Sequence, residues 1–334
     1  MTALIKKKRH SIHIFDYPED VSVIISIDNL FLGPALGGTR MRHYTSKEDA
    51  ILDVKQLSHA MTFKSAIHGL NQGGGKCVIY NPKSLTFNEI TPFFIDAINA
   101  LHGDFIAGND MGISVEMLNK IHQESPYLFN RHGNALDPSI FTAESAFLCI
   151  EYIQSNILKK AKSDVTIKVQ GLGHTGNALC QLLLDANYQV QGFDIVQTTL
   201  KPFLGHPSFT PLNKETWFET KCDIFSPCAA GGVITSKTIH NLNCSVICGI
   251  ANNPCESYAT ISQLNTKNIL YIPDFISNGG GVIYASGIYH GQSVANIRKK
   301  IHSISQLLES LDLKSSNIPY DTAVKIIHQR LSES

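Results

Sequence analysis

The chain has 334 residues, 43% hydrophobic and 17% charged, enough apolar material for two ordinary cores and too few charges for a disordered chain. Its formal net charge is zero, so the basic excess of a nucleic-acid binder is missing, and no run of about 18 apolar residues could span a bilayer. Eight scattered cysteines without a CxxC pair, and fourteen histidines without an HExxH pattern, argue against a secreted disulfide framework and against a structural zinc site.

Lys6-Lys7-Lys8-Arg9 reads as a solvated tail, because His10-Ser11-Ile12-His13 follows where a signal peptide would turn apolar. A cytoplasmic enzyme that uses neither membrane nor nucleic acid is therefore expected. Residues 12–32 predict two strands around the break at Pro18-Glu19-Asp20. Residues 47–62 predict a helix that starts at Ser46, with Glu48 and Asp49 in its first turn. Gly73-Gly74-Gly75 precedes a short buried strand over 76–80, and 88–102 is a second helical pattern. Strands joined by helices predict an α/β domain.

The texture changes near residue 136. Asn134 to Pro138 reads as a linker, followed by a helix over 142–160 and a strand over 165–170. Further expectations are a helix over 177–186, a strand over 189–193, and strands at 224–225, 246–250 and 269–272. Cys244 and Cys248 bracket an apolar run that suits the buried strand better than a metal site, and no metal is expected. A long amphipathic helix over 295–311 leads the chain back toward the first domain. The alternation predicts a doubly wound parallel sheet, a Rossmann domain, behind an N-terminal α/β domain.

The strand at 165–170 runs directly into Gly171-Leu-Gly173-His-Thr-Gly176. A lone GxGxxG is weak evidence; one between a strand and a helix has a mechanism. Gly171 makes the tight turn, Gly173 lets the backbone approach a pyrophosphate, and Gly176 lets the helix pack on the sheet. The helix N-terminus then offers free N–H groups and partial positive charge. Asp194 ends the next strand, where a carboxylate takes hydrogen bonds from a ribose diol and repels a 2′-phosphate. NAD is the expected cofactor.

The most informative segments are Gly33-Pro-Ala-Leu36-Gly37-Gly38-Thr-Arg-Met41, Met61-Thr-Phe-Lys64, Gly73-Gly74-Gly75-Lys76 and Gly108-Asn-Asp110-Met-Gly112. Lysines are usually surface residues. Lys64 and Lys76 instead sit in apolar or glycine-rich settings, twelve residues apart, and form a set with Asp110. This set resembles the glutamate/leucine/phenylalanine/valine dehydrogenase family, its leucine dehydrogenase branch most closely. Ser226 to Gly232, Ala251-Asn252-Asn253 and Pro273 to Val282 are similar to the family at matching spacing, so the likeness runs from about residue 12 to about 330.

The resemblance implies a substrate and oligomerisation domain over 1–135 plus about 305–334, and an NAD domain over 136–304. It implies a cleft between them that closes on the amino acid to exclude water. Lys64 is implied to hold the substrate carboxylate, Lys76 to activate the water that attacks the imine, and Asp110 to carry protons to and from the amine. Leu36, Gly37, Gly38, Met61, Val282 and Ala285 are implied as substrate-binding positions. Thr142, Ala229, Asn252, Asn253 and Asn278 join Gly171, Gly173, Gly176 and Asp194 as implied cofactor contacts. The chemistry agrees: removing hydride from an α-carbon leaves an iminium, whose hydrolysis to a 2-oxo acid and ammonia needs a positioned water and a proton carrier.

Glutamate-type members resemble one another in carrying a lysine where this chain has Leu36, so a distal carboxylate would face an apolar wall. Branched aliphatic L-amino acids are the expected substrates. Ala285, where the leucine dehydrogenase branch has a valine, leaves room for phenylalanine or tryptophan. The chain departs from that branch at both ends, and a homo-oligomer, dimer or larger, is expected. Two rival classes differ in the residues they require. A non-catalytic NAD-binding regulatory protein would have lost the lysine or the aspartate. A 2-hydroxy-acid dehydrogenase would use an Arg/His pair where this chain supplies two lysines.

Overall fold

The computed structural model describes residues 10–133, 135–229, 231–313 and 318–332, so the basic run at 6–9 and Asn134 of the expected linker lie outside the described residues. The chain divides into two compact units. Unit 1 comprises Met1–Asp137, Val282–Ile297 and Ile326–Ser334; unit 2 comprises Pro138–Gly281 and Arg298–Lys325. The first boundary falls two residues from the expected one, whereas the C-terminal third is shared differently from the expectation. Within unit 1 the Leu136 N–H donates to Tyr284 Oη at 2.6 Å and Arg131 lies over the Tyr289 ring, which ties residues 282–297 to that unit. Within unit 2, Arg298 and His302 both reach Glu144.

Unit 1 carries a mixed sheet of β1 (Ser11–Asp16), β2 (Ser22–Ile27), β3 (Ala35–Met41), β4 (Gly73–Tyr80) and β5 (Phe105–Asn109) in the order β1-β2-β4-β3-β5. β1, β2 and β4 pair antiparallel; β4, β3 and β5 pair parallel. Helix α1 (Lys47–Ile67) starts where Ser46 Oγ accepts from the Asp49 N–H, and it runs one turn beyond the expected end. Its Ala50 and Val54 pack with Ile24, Tyr44 and Val78. Helices α2 (Phe87–Asn99) and α3 (Val115–Lys120) follow.

The structure corrects one detail here. Gly73, Gly74 and Gly75 do not precede the strand; they are its first three residues, Gly73 and Gly74 paired with β3 and Gly75 with β2. A Cβ on Gly74 would stand 2.1 Å from the Thr62 nitrogen, and one on Gly73 would stand 1.7 Å from Asn29 O. The glycines let helix α1 and the loop at Asn29 close directly onto strand backbone. β3 and β5 were not expected as strands, because Gly37-Gly38 and Gly108 break the apolar alternation that marks one.

Unit 2 holds an all-parallel sheet of β6 (Thr166–Gln170), β7 (Gln189–Phe193), β8 (Phe209–Pro211), β9 (Ile224–Pro227), β10 (Val246–Ile247) and β11 (Leu270–Tyr271), in the order β11-β10-β9-β6-β7-β8. The chain winds outward from β6 first one way and then the other, the expected doubly wound order. Its helices are α4 (Pro138–Ile153), α5 (His174–Asp185), α6 (Tyr258–Thr266) and α7 (Asp274–Ser277). The helix expected over 142–160 begins earlier and ends in a wider turn, Gln154–Leu158, stopped by Lys159 in the left-handed region. β10 is shorter than its apolar run suggested.

Helix α8 (Gly280–Tyr289) crosses the second boundary. The single helix expected over 295–311 is two, α9 (Val294–His302) and α10 (Ile304–Ser310). At the break, both the N–H and the hydroxyl of Ser303 bond Lys300 O, at 3.1 and 2.7 Å, in place of the regular ladder. Helix α11 (Pro319–Ser332) ends the described chain.

Candidate active site

In unit 1 the two expected chemical residues meet. Lys76 lies in the middle of β4 and is 7% exposed. Asp110 follows directly on β5, two strands away. The Lys76 ammonium is ion-paired with Asp110 Oδ2. β3 lies between them, and the β3–β4 register runs through Leu36 with Gly74 and resumes at Thr39 with Cys77, leaving Gly37-Gly38 opposite Lys76. A Cβ on Gly38 would stand 2.9 Å from Asp110 Cβ and 2.6 Å from Asn109 O. The missing side chain at Gly38 is what lets a lysine from β4 reach across β3 to an acid beyond β5.

The same face carries a residue that sequence reasoning missed. Arg40, two positions after Gly38, donates from Nε to Asp110 Oδ2 at 3.1 Å and from Nη1 to Asp53 Oδ2 at 3.2 Å. Asp53 projects from α1 and also accepts from the Tyr44 hydroxyl at 2.7 Å, with Arg42 at 3.4 Å. Arg40 was inside a quoted segment, but its partners are 13 and 70 residues away, and no local signal names them. Burial pushes the Asp110 carboxyl up. The charges of Lys76 and Arg40, with hydrogen bonds from Lys76 and the Met111 backbone, more than reverse this and hold it well below the usual carboxylate range.

Of the other residues expected on the substrate side, Leu36 is buried in β3 beside Gly74 and Ile106. Met61 and Lys64 lie half-buried one turn apart on α1, the helix that packs on β4. Val282 and Ala285 are one turn apart on α8, within unit 1. Gly37 has its own packing reason, since a Cβ there would stand 1.8 Å from Gly75 O.

In unit 2 the three glycines of the turn occupy three different environments. Gly171 has φ +94°, and a Cβ on it would lie 2.6 Å from the Cβ of Ala229. A Cβ on Gly176 would lie 2.0 Å from Gly171 O, so the first turn of α5 rests on the loop. A Cβ on Gly173 would meet nothing within 4 Å. Gly171 and Ala229 follow β6 and β9, the adjacent strands where the winding reverses, which is where open α/β sheets take ligands. The Asp194 carboxylate accepts from the Leu172 N–H at 2.6 Å and the Val196 N–H at 2.8 Å, which fixes it against the glycine turn.

Asn278 donates from Nδ2 to Ile250 O at 3.2 Å and to Asn252 Oδ1 at 3.1 Å, while its own Oδ1 is buried with no partner among the described residues. Asn253, at φ +48°, is pinned by its N–H to Asp274 Oδ2 at 2.9 Å. Asp274 is a second residue the sequence reading missed. Thr142 donates its hydroxyl to Pro138 O at 3.1 Å, and Gly281 is small enough to let it lie close. The open side at Gly173 and the unmet Asn278 oxygen suit a dinucleotide, whose phosphates need room and N–H groups and whose carboxamide can donate.

Residues 19–127 match the family model described as the Glu/Leu/Phe/Val dehydrogenase dimerisation domain, and residues 194–325 match glutamate/leucine/phenylalanine/valine dehydrogenase. L-tryptophan dehydrogenase of Nostoc punctiforme is 32% identical over 321 residues, 94% of this chain and 91% of that protein. Leucine dehydrogenase of Thermoactinomyces intermedius is 32% identical over 328 residues, 95% of this chain and 88% of that protein. The crystal structure of the Nostoc L-tryptophan dehydrogenase superposes with a TM-score of 0.78 at 30% identity, over 97% of this chain and 96% of that one. A hetero-hexameric glutamate dehydrogenase from Thermus thermophilus shares the fold at a TM-score of 0.80 and 17% identity, over 98% of this chain and 89% of that one.

Proposed function

This chain belongs to the glutamate/leucine/phenylalanine/valine dehydrogenase family, and from that premise we propose that it oxidatively deaminates an apolar L-amino acid to the 2-oxo acid and ammonia, with NAD as oxidant. Membership makes it an amino-acid dehydrogenase, an oxidoreductase acting on CH–NH2 donors. The observation that carries the finer reading is the buried Lys76–Asp110 pair, a base and an acid in contact across Gly38.

Bound NAD supplies the acceptor for the hydride that leaves the substrate α-carbon. The chain's own residues do the rest. Lys64 holds the substrate carboxylate. Asp110, ionised at neutral pH, takes the proton from the substrate ammonium, so that the amine lone pair can expel hydride. Lys76 directs a water onto the resulting iminium carbon and relays the proton it sheds to solvent; Asp110 returns its proton to the amine, which departs as ammonium, taking the hydroxyl proton as the carbonyl forms. Gly171, Gly173, Gly176 and Asp194 would hold the dinucleotide, and Thr142, Ala229, Asn252, Asn253 and Asn278 would complete its contacts. With a carboxylate at Asp194 and exposed Ile195 and Val196 after it, residues 195–200 carry no cation to receive a 2′-phosphate, which supports NAD over NADP.

Leu36 in a buried strand supports an apolar substrate side chain, and leucine, valine and isoleucine are the first choice. A second reading, an aromatic substrate, is favoured by the small Ala285 and by the likeness to an L-tryptophan dehydrogenase. A non-catalytic NAD-binding protein would have no need of the intact pair. A dimer or larger homo-oligomer is supported by the match to a dimerisation domain. Among the described residues no helix is long and apolar enough to cross a membrane.

The test is a panel of leucine, valine, isoleucine, phenylalanine, tryptophan and glutamate with NAD or NADP, followed by NADH absorbance and ammonia release. Equimolar ammonia and NADH with an apolar substrate is expected. Glutamate as the best substrate would overturn the Leu36 argument, and NADH from the matching 2-hydroxy acids with none from the amino acids would indicate a hydroxy-acid enzyme.

The glycine turn has its own test. Gly173→Ala is expected to fold normally, since the added methyl meets open space, and to weaken NAD binding at least about tenfold by filling the phosphate approach. Gly176→Ala, with its methyl driven into Gly171 O, is expected to lower the melting temperature. Calorimetry of both variants checks this; unchanged NAD affinity in Gly173→Ala would remove the pyrophosphate from this turn.

A further inference from the structure

We infer that Arg40, anchored by Asp53 and Tyr44, is a positioning residue that fixes the Asp110 carboxylate and keeps it ionised when Lys76 turns to its substrate water. The inference deepens the proposed function and rests on it for the role of Asp110. Three observations carry it. Both cations bond the same oxygen, Asp110 Oδ2, which Lys76 alone could not hold in place while also serving a water. The Arg40 guanidinium bridges two carboxylates, Asp110 from the end of β5 and Asp53 from α1, with different nitrogens of one rigid plane. Asp53 is held in turn by the Tyr44 hydroxyl, so the fork cannot swing away with Asp110. A lysine at 40 would keep the charge and lose the fork.

The charged groups facing Asp110 are Lys76 from β4 and Arg40 from β3; behind Arg40 stand Asp53, Tyr44 and Arg42. Burial works to raise the Asp110 carboxyl and these two cations work to lower it. Removing Arg40 therefore shifts protonation of Asp110 to higher pH, and a base that must be ionised is lost earlier as pH falls.

The experiment has two readouts. Carboxyl-13C aspartate labelling follows Asp110 directly, its resonance identified by its loss in Asp110→Asn, and kcat and KM are measured across pH in parallel. In Arg40→Ala the Asp110 titration midpoint and the acid limb of kcat/KM are expected to move up by at least about one pH unit. The fall in kcat is expected to be about tenfold or more, with KM changed far less. Arg40→Lys should recover part of the titration shift but not the full kcat, and Asp53→Asn, which loosens the Arg40 fork while removing a negative charge, should lower kcat by less without raising the Asp110 titration. Titration and kcat in Arg40→Ala that overlay the parent would overturn the inference. Should Arg40→Ala fail to fold, Arg40→Lys decides it by the same criterion and Asp53→Asn by kcat. A parent that oxidises no amino acid, with the Asp110 titration still shifted in Arg40→Ala, overturns the proposed function and leaves the charge-holding role standing.

Discussion

Replacing Lys76 with methionine is expected to lower turnover of the preferred amino acid by at least about a hundredfold, the usual scale for losing a positioned proton-transfer group. Methionine keeps most of the volume of a side chain buried in the centre of a five-stranded sheet, so packing between β2 and β3 is retained while the amine is removed. Asp110 keeps Arg40 as a partner, so the variant isolates the lysine from the acid. If Lys76 directs water onto the iminium, the slowed step lies after hydride transfer. Rapid mixing should then show a first burst of NADH and a slow steady state. Turnover within about threefold of the parent would remove Lys76 from the chemistry.

Asp110→Asn is expected to cost turnover on the same scale and stability as well. The asparagine is nearly isosteric, but it removes the counter-charge of Lys76 and leaves Arg40 with Asp53 alone in a largely buried setting. Breaking one side of such a buried pair typically costs about 3–5 kcal/mol. A lower melting temperature at pH 7 should therefore accompany the loss of activity. The sign of the pH dependence follows from the same charges. The folded-state pKa of Asp110 is depressed, so its contribution to stability is complete above the ordinary carboxylate pKa near 4 and is lost as pH falls toward the folded value. The parent and Asp110→Asn should thus converge in melting temperature as the pH is lowered below about 4. A gap that stays constant from pH 7 to pH 3 would mean that the stabilisation is not electrostatic.

The elements were legible where their signals are local. The Ser46 cap with its acidic first turn announced α1, the Pro18-Glu19-Asp20 break announced the β1–β2 hairpin, and β6 with Gly171, Gly173 and Gly176 announced the strand–turn–helix of unit 2. β3 and β5 were not legible, because glycines occupy the positions where apolar residues would have marked the alternation. The β3 glycines are there for contacts with other segments: Gly37 against Gly75, Gly38 against Asn109 and Asp110. The assignment of residues 282–297 to unit 1 depended likewise on partners remote in sequence, Tyr284 with Leu136 and Tyr289 with Arg131, whereas the split of the 295–311 helix is local, at Ser303 bonded back to Lys300 O.

The sequence by itself determined the two sets of chemistry this chain can offer. Lys64, Lys76 and Asp110 appear in one set and the glycine turn with Asp194 in the other, because residue type and short spacing are written directly in the order of amino acids. Tertiary structure alone decided that Asp110 is shared by Lys76 and Arg40, and that Arg40 is itself anchored on Asp53. The physical reason is that charge coupling depends on separation in space. Parallel strands bring residues 40, 76 and 110 onto adjacent strands of one sheet, a proximity that no local pattern encodes.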